Sequence, residues 1–204
     1  MGNAMRRFDH FRPYIFAVSF LLFAVTGCQT TMTTPDKREV DQPAASTMFP
    51  LRFSEHDFDT HCYNTLRCKV IYAGFDFNRS DADQPSPAPP PGDYRQHWRY
   101  AGFAGVPNFP PPADLQWTSL DGEAHAAKVD IGAIFKDERA LYNVADAEIP
   151  VDSWGREPHI YLEVNDRTIN VYMRSIVSTK TEQIPGNKHS NFRDDVILAW
   201  THTY

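Results

Sequence analysis

Two stretches of the chain alternate apolar and polar residues with the period of two that marks a half-buried β-strand. Each contains a turn signal at its middle. In the first, residues 115–119 (Leu-Gln-Trp-Thr-Ser) form one arm, residues 126–134 the other, and Asp121-Gly122 lies between them. A two-residue Asp121-Gly122 loop would pair Trp117 with Ala126 and put Val129 and Ile131 on the opposite face. A three-residue loop, Leu120-Asp121-Gly122, pairs Trp117 with His125 and Leu115 with Ala127. Leu115, Trp117, Ala127, Val129 and Ile131 then share one face, which selects this register and places Gly122 in the left-handed position of a bulge. In the second stretch, residues 160–164 and 168–173 flank Asn165-Asp166. A two-residue turn there pairs Leu162 with Ile169 and Ile160 with Val171, with every apolar partner on one face.

Further elements follow from the same pattern. Residues 69–74 read as a strand ending at Gly74. Residues 196–200 (Val-Ile-Leu-Ala-Trp) are apolar on both faces and predict a central, doubly covered strand whose loss would unfold the domain. Residues 135–147 place Phe135, Leu141 and Val144 among good helix formers, predicting a short helix or helical turn before Pro150. The Pro-rich residues 81–93 predict an extended surface loop. Residues 94–112 hold two glycines and four prolines and predict irregular structure whose aromatics either fill the core or stand exposed. Residues 178–193 are polar, with a turn at Pro185-Gly186-Asn187. The segment 56–61 (His-Asp-Phe-Asp-Thr-His) has no zinc-ligand spacing and reads as a polar loop. The expected fold class is α+β, mainly antiparallel β: one compact domain over residues 49–204, built from hairpins with one short helix and long Pro/aromatic loops.

The N-terminus changes the setting. Arg6 and Arg7 precede an apolar run over residues 14–25, and Val25-Thr26-Gly27-Cys28 follows. Positive start, short apolar core and small residues before a cysteine read as a lipoprotein signal peptide, residues 1–27, with Cys28 lipidated. An ordinary secretory signal or an anchor helix are the competing readings. Gln29 rather than Asp after the cysteine favours the inner leaflet of the outer membrane, facing the periplasm. Residues 28–48, polar and without apolar periodicity, form a flexible tether.

That compartment bears on the two remaining cysteines. Cys62 and Cys68 form an even pair in an oxidising space, which favours a disulfide over a metal pair. Without residues 1–27 the chain has 17 basic and 25 acidic residues, a net charge of −8. That balance argues against nucleic acid and anionic lipid surfaces as partners, and permits a basic protein partner. No GxSxG elbow, Gly-rich phosphate loop or HExxH occurs, so neither an enzyme nor a cofactor is expected.

Several motifs resemble those of small Gram-negative lipoproteins encoded beside type VI secretion effectors. They are Phe109-Pro110-Pro111 with residues 115–122 (Leu-Gln-Trp-Thr-Ser-Leu-Asp-Gly), residues 128–131 (Lys-Val-Asp-Ile), residues 163–172 (Glu-Val-Asn-Asp-Arg-Thr-Ile-Asn-Val-Tyr) and residues 199–204 (Ala-Trp-Thr-His-Thr-Tyr). The chain is similar over most of residues 50–204 to the type VI lipase immunity proteins. The resemblance implies a periplasmic immunity protein with no reaction of its own. It would bind and neutralise a cognate effector toxin, a phospholipase or a spike-linked metallopeptidase. The resemblance carries no inhibitory motif, so the site is nominated from the residues. Loops at one end of the sheet, 81–112 and 178–193, are expected to meet the toxin through Tyr94, Trp98, Arg193 and Asp194. The rival expectation is an envelope-assembly or ligand-binding lipoprotein without a toxin partner.

Overall fold

The computed structural model of the chain describes residues 49–77, 84–153 and 156–204. The signal peptide, Cys28, the tether and residues 81–83 of the Pro-rich loop lie outside the described residues.

Eleven strands are described: β1 (Glu55–Tyr63), β2 (Thr65–Tyr72), β3 (Phe75–Asp76), β4 (Phe103–Pro107), β5 (Ala113–Ser119), β6 (Ala124–Val129), β7 (His159–Asn165), β8 (Thr168–Arg174), β9 (Val177–Ser178), β10 (Phe192–Arg193) and β11 (Val196–Thr203). Five form a sheet in the order β11-β8-β7-β1-β4, and four form a second in the order β3-β2-β5-β6. The architecture is mostly β and mostly antiparallel, as expected. The exception is β1 with β7, which pair in parallel from Asp57↔His159 to Tyr63↔Asn165.

The two sheets close on one apolar core. Phe58, Ile160, Leu162, Val164, Ile169, Val171 and Met173 of the first meet Val70, Tyr72, Leu115, Trp117 and Val129 of the second. On the second sheet the alternation is simple, because its other face meets solvent: β5 buries Ala113, Leu115, Trp117 and Ser119 and leaves Gln116 exposed. The first hairpin has the register expected, with Trp117 opposite His125 and Leu115 opposite Ala127. Gly122 sits at φ +86°, and its N–H donates to the Ser119 carbonyl.

The second hairpin differs in register. Leu162 faces Val171 and Ile160 faces Met173, so the turn is Asp166-Arg167, one residue later than read from the sequence. A shift of one residue in the turn moves partners by two, which leaves every side chain on its face. The hydrophobic pattern is therefore blind to it. The outcome is set by Asp166 at φ +51° and by contacts from elsewhere in the chain. The Trp117 indole donates to the Asp166 carbonyl at 2.8 Å, and the Asp166 N–H donates to the Tyr63 carbonyl at 3.0 Å.

Four other expectations are corrected. Residues 56–61 are not a loop but part of β1, with His56, Phe58 and Thr60 buried in alternation. The 94–112 stretch contains a 3-10 turn at Tyr94–His97 and the edge strand β4. The helical turn α1 is Ile131–Ile134, capped by Asp130, whose carboxylate accepts from the Ala133 N–H. Residues 135–147 do not continue it, because Glu138 turns to φ +52° and the chain pairs back onto residues 51–53 through Ala140 N–H to Leu51 O and Phe53 N–H to Glu138 O. β11 is an edge strand rather than a central one, and Leu198 on it is 50 % exposed. The centre belongs to β7 and β8, whose two faces are both covered.

Cys62 on β1 and Cys68 on β2 form the expected disulfide, with a Cα separation of 6.3 Å. It crosses from one sheet to the other where the chain reverses at Asn64. Converting both cysteines to serine should lower the unfolding free energy by about 2–3 kcal/mol. Urea denaturation of the double variant against the oxidised protein checks this, and an unchanged midpoint would contradict it.

Candidate functional site

The outer face of the five-stranded sheet is polar in sequence, yet it is buried. Residues 94–101 cross it as a strap, and Tyr94, Trp98 and Ala101 pack on Tyr161 and Tyr172. Under the strap lies Glu163 on β7, with no exposed surface. Tyr94 donates its hydroxyl proton to Glu163, Asn170 donates an amide N–H at 3.2 Å, and Arg95 donates from Nε at 3.2 Å and Nη2 at 3.0 Å. The Arg95 guanidinium lies 4.4 Å from the ring centre of Tyr94 and 4.9 Å from that of Tyr172. Burial would lower the Arg95 pKa, but the hydrogen bonds and charge of Glu163 outweigh it, and the pKa is raised. Burial, and then Glu163, also push the Tyr94 hydroxyl well above its ordinary value. This carboxylate is consumed in holding the strap.

The far end of the strap is held from below by Arg174 at the end of β8. It donates to the carbonyls of Trp98 and Gln96, both at 2.8 Å. The Tyr161 hydroxyl donates to the Arg99 carbonyl at 3.1 Å, and burial pushes its pKa up to about 12. A loop that makes no ladder is thus fixed by side chains reaching for its backbone.

On the strap, Tyr100 is 51 % exposed. The ring stacks on His159 at 4.8 Å, and its hydroxyl lies 3.5 Å from the Asp194 carboxylate. His159 in turn faces Asp57 at 3.1 Å. Arg193 and Asp194 are half-exposed beside this end of the sheet, and Arg193 pairs with Asp195 at 2.7 Å. Tyr100 of the 81–112 stretch thus reaches Asp194, one residue past the 178–193 loop. Of the four residues chosen from the sequence, Arg193 and Asp194 lie on the surface, whereas Tyr94 and Trp98 are buried at 8 % exposure each. Trp98 stacks on His61 at 4.2 Å and donates to the Tyr63 hydroxyl, so it packs the strap down. The exposed aromatic that the sequence reading missed is Tyr100. A signal for the covered face was present in Tyr161 and Tyr172, large aromatics on the face opposite the apolar partners.

One other cluster has the composition of a hydrolase site. Ser119 Oγ lies 2.5 Å from Asp121 Oδ1 and 3.0 Å from His125 Nε2. In a nucleophilic triad the imidazole stands between hydroxyl and carboxylate. Here the serine stands in the middle, fully buried, and Asp121 accepts its proton. The Ser119 hydrogen bond, with Arg167 and the Glu123 N–H, holds the Asp121 carboxyl well below its ordinary range. The cluster ties the hairpin turn to Arg167. An open cleft of about 140 Å³ beside the disulfide is lined by Thr60, His61, Tyr63 and Phe77 together with residues 84–87. Among the described residues no group of three or more His, Cys, Asp or Glu is placed to hold a metal ion, and no helix is long and apolar enough to cross a membrane.

Two buried histidines give the domain a pH response. His56 is fully buried; it contacts Asn108 Oδ1 through Nδ1 at 2.9 Å and the Tyr72 hydroxyl through Nε2 at 3.0 Å. Asn108 Nδ2 donates to the Phe53 carbonyl, which turns its oxygen toward His56 and sets the neutral Nδ1–H tautomer. Burial lowers the pKa of His56 and of His159 from the ordinary 6.5, more than Asn108 and Asp57 raise them. Below 6.5 the unfolded chain therefore binds protons that the folded one refuses, so stability falls as pH falls through this range. The depressed Asp121 acts in the same direction only below its ordinary 3.8. Thermal melting followed from neutral pH to about 5 should show a falling midpoint; a flat profile would contradict the burial of neutral imidazoles.

No family model matches the chain, no curated protein matches it, and no solved structure matches it.

Proposed function

We propose that this chain is a periplasmic, lipid-anchored immunity protein that binds and neutralises an antibacterial toxin of a type VI secretion system, a phospholipase effector in the first instance. The observation that carries the reading is the fixed surface at the end of the five-stranded sheet. There exposed Tyr100 stands beside half-exposed Arg193 and Asp194. Tight binding is favoured where aromatic and charged anchors are already immobile before the partner arrives, because little ordering entropy remains to be lost. Glu163 and Arg174 supply that immobility from beneath. The excess of acidic residues favours fast association with a basic rim around a catalytic cleft. The motif resemblance over residues 109–122 and 163–172 supports the same reading, as does the lipid anchor expected at Cys28, which would hold the protein where such a toxin acts.

The test is a pull-down from periplasmic extract with the tagged chain from residue 29 as bait. The extract comes from cells producing the neighbouring secretion effectors with inactivated catalytic residues. Stoichiometric, salt-resistant recovery of one effector is expected. Recovery of envelope-assembly components instead would replace this reading with the assembly-lipoprotein one.

A further inference from the structure

The two larger sheets have four edge strands between them, and three are defended against a further strand. β3 is two residues long. β4 turns at Gly105, with φ +68°, and ends at Pro107. β6 carries Lys128, whose side chain is 75 % exposed. Short length, a turned backbone, proline and lysine are the devices that keep an edge strand from pairing with another chain.

β11 has almost none of them. It runs for eight residues, Val196–Thr203, without a proline or a Lys, Arg, Asp or Glu. Its one interruption is the bulge at Ala199, between Leu198 and Trp200. It pairs with β8 on one side, and among the described residues no strand lies on the other. The rim beside it is incompletely covered: Ala199 and Trp200 pack on the shared core yet are only half-buried, and Leu198 is half-exposed.

Two features define what fits this edge. The first is its row of outward N–H and C=O groups, whose spacing along the strand matches an extended chain. The second is charge. β11 itself carries no fixed charge, but each end is bordered by a surplus of carboxylates. Asp194 and Asp195 lie beside Arg193 at the start. Asp121 and Glu123 pair with Arg167 at the finish, where the Tyr204 N–H donates to the Arg167 carbonyl at 2.9 Å. A second copy of this chain, laid along β11 in either direction, would bring acidic end against acidic end. A strand with basic flanks complements both ends. The edge is also continuous with the exposed surface described above, because its start is next to Asp194, which Tyr100 reaches.

We infer that β11 receives an extended, uncharged strand of the toxin, flanked by basic residues, as a sixth strand of the five-stranded sheet. The inference rests on the immunity reading and names the element of the partner that is bound.

The experiment is amide hydrogen exchange, resolved to single residues, on the full chain purified from the envelope in detergent. It is measured alone and saturated with each neighbouring effector carrying inactivated catalytic residues. The β11 amides turned away from β8 should exchange fast in the chain alone and about tenfold or more slowly in the complex, while those of β6 stay unchanged. Unchanged exchange in β11 on effector binding, or equal slowing in β11 and β6, would overturn the edge inference and leave immunity standing. Slow exchange of the same β11 amides in the chain alone, deepening with its concentration, would show a second copy on the edge and overturn the choice of occupant. Binding by none of the effectors would overturn the immunity reading itself, and the edge inference with it.

Discussion

Replacing Arg95 with methionine should destabilise the domain by about 3 kcal/mol. Glu163 is wholly buried, and among the described residues Arg95 is its one ion-pair partner. Removing one partner of a buried pair leaves an uncompensated charge, which costs about 3–5 kcal/mol. We place Arg95 at the lower end because its side chain is still 28 % exposed and Tyr94 and Asn170 continue to donate. The reciprocal change, Glu163→Gln, should cost less, since Arg95 has a path to water and the carboxylate has none. In the double variant Arg95→Met with Glu163→Gln, part of the loss should return, because no buried charge is left unpaired while the amide oxygen can still accept from the Tyr94 hydroxyl. Urea denaturation of the four proteins forms a double-mutant cycle. Equal losses in the two single variants and strict additivity in the double would show that the pair does not hold the strap. Loss of the strap would also release Tyr100, so Arg95→Met should weaken partner binding even where the fold survives.

Trp117→Ala should cost about 3–5 kcal/mol, the range for removing a large aromatic from a core. The side chain is 3 % exposed, packs within the shared core of both sheets and stacks on His125 at 4.9 Å. Its indole N–H also fixes the turn of the other hairpin through the Asp166 carbonyl. Truncation thus opens a cavity and leaves an acceptor unpaired at one site. Trp117→Phe keeps most of the volume and loses the hydrogen bond, so a smaller loss is expected. The difference between the two variants in chemical denaturation separates packing from the turn contact. If Phe is as damaging as Ala, the hydrogen bond is the greater part.

The hairpin of residues 113–129 was legible because only one of its registers brings Leu115, Trp117, Ala127 and Val129 together. Its other face meets solvent, so the pattern along the chain reports burial directly. Cys62 and Cys68 were legible from compartment and parity. The hairpin of residues 159–174 was legible in its faces but not in its turn, because a shift of two in pairing changes no face. Residues 135–147 read as a helix from propensity, and the tertiary pairing of residues 51–53 took them instead.

What the sequence by itself determined is the set of faces: which residues of each strand turn toward a common core, and that this core is made by sheets. What only the tertiary structure decided is what covers the opposite faces. Alternation records that Glu163, Asn170 and Arg174 point away from Ile160 and Val171; it holds nothing about a strap arriving from residues 94–101 to bury them. That arrival is a long-range contact, sixty-eight residues apart for Arg95 and Glu163. It turns the polar residues of that face into the buried ionic support of the strap that carries Tyr100. The same reason moved β11 from the centre to the edge: its apolar residues specify a strand, while neighbours specify its place in the sheet.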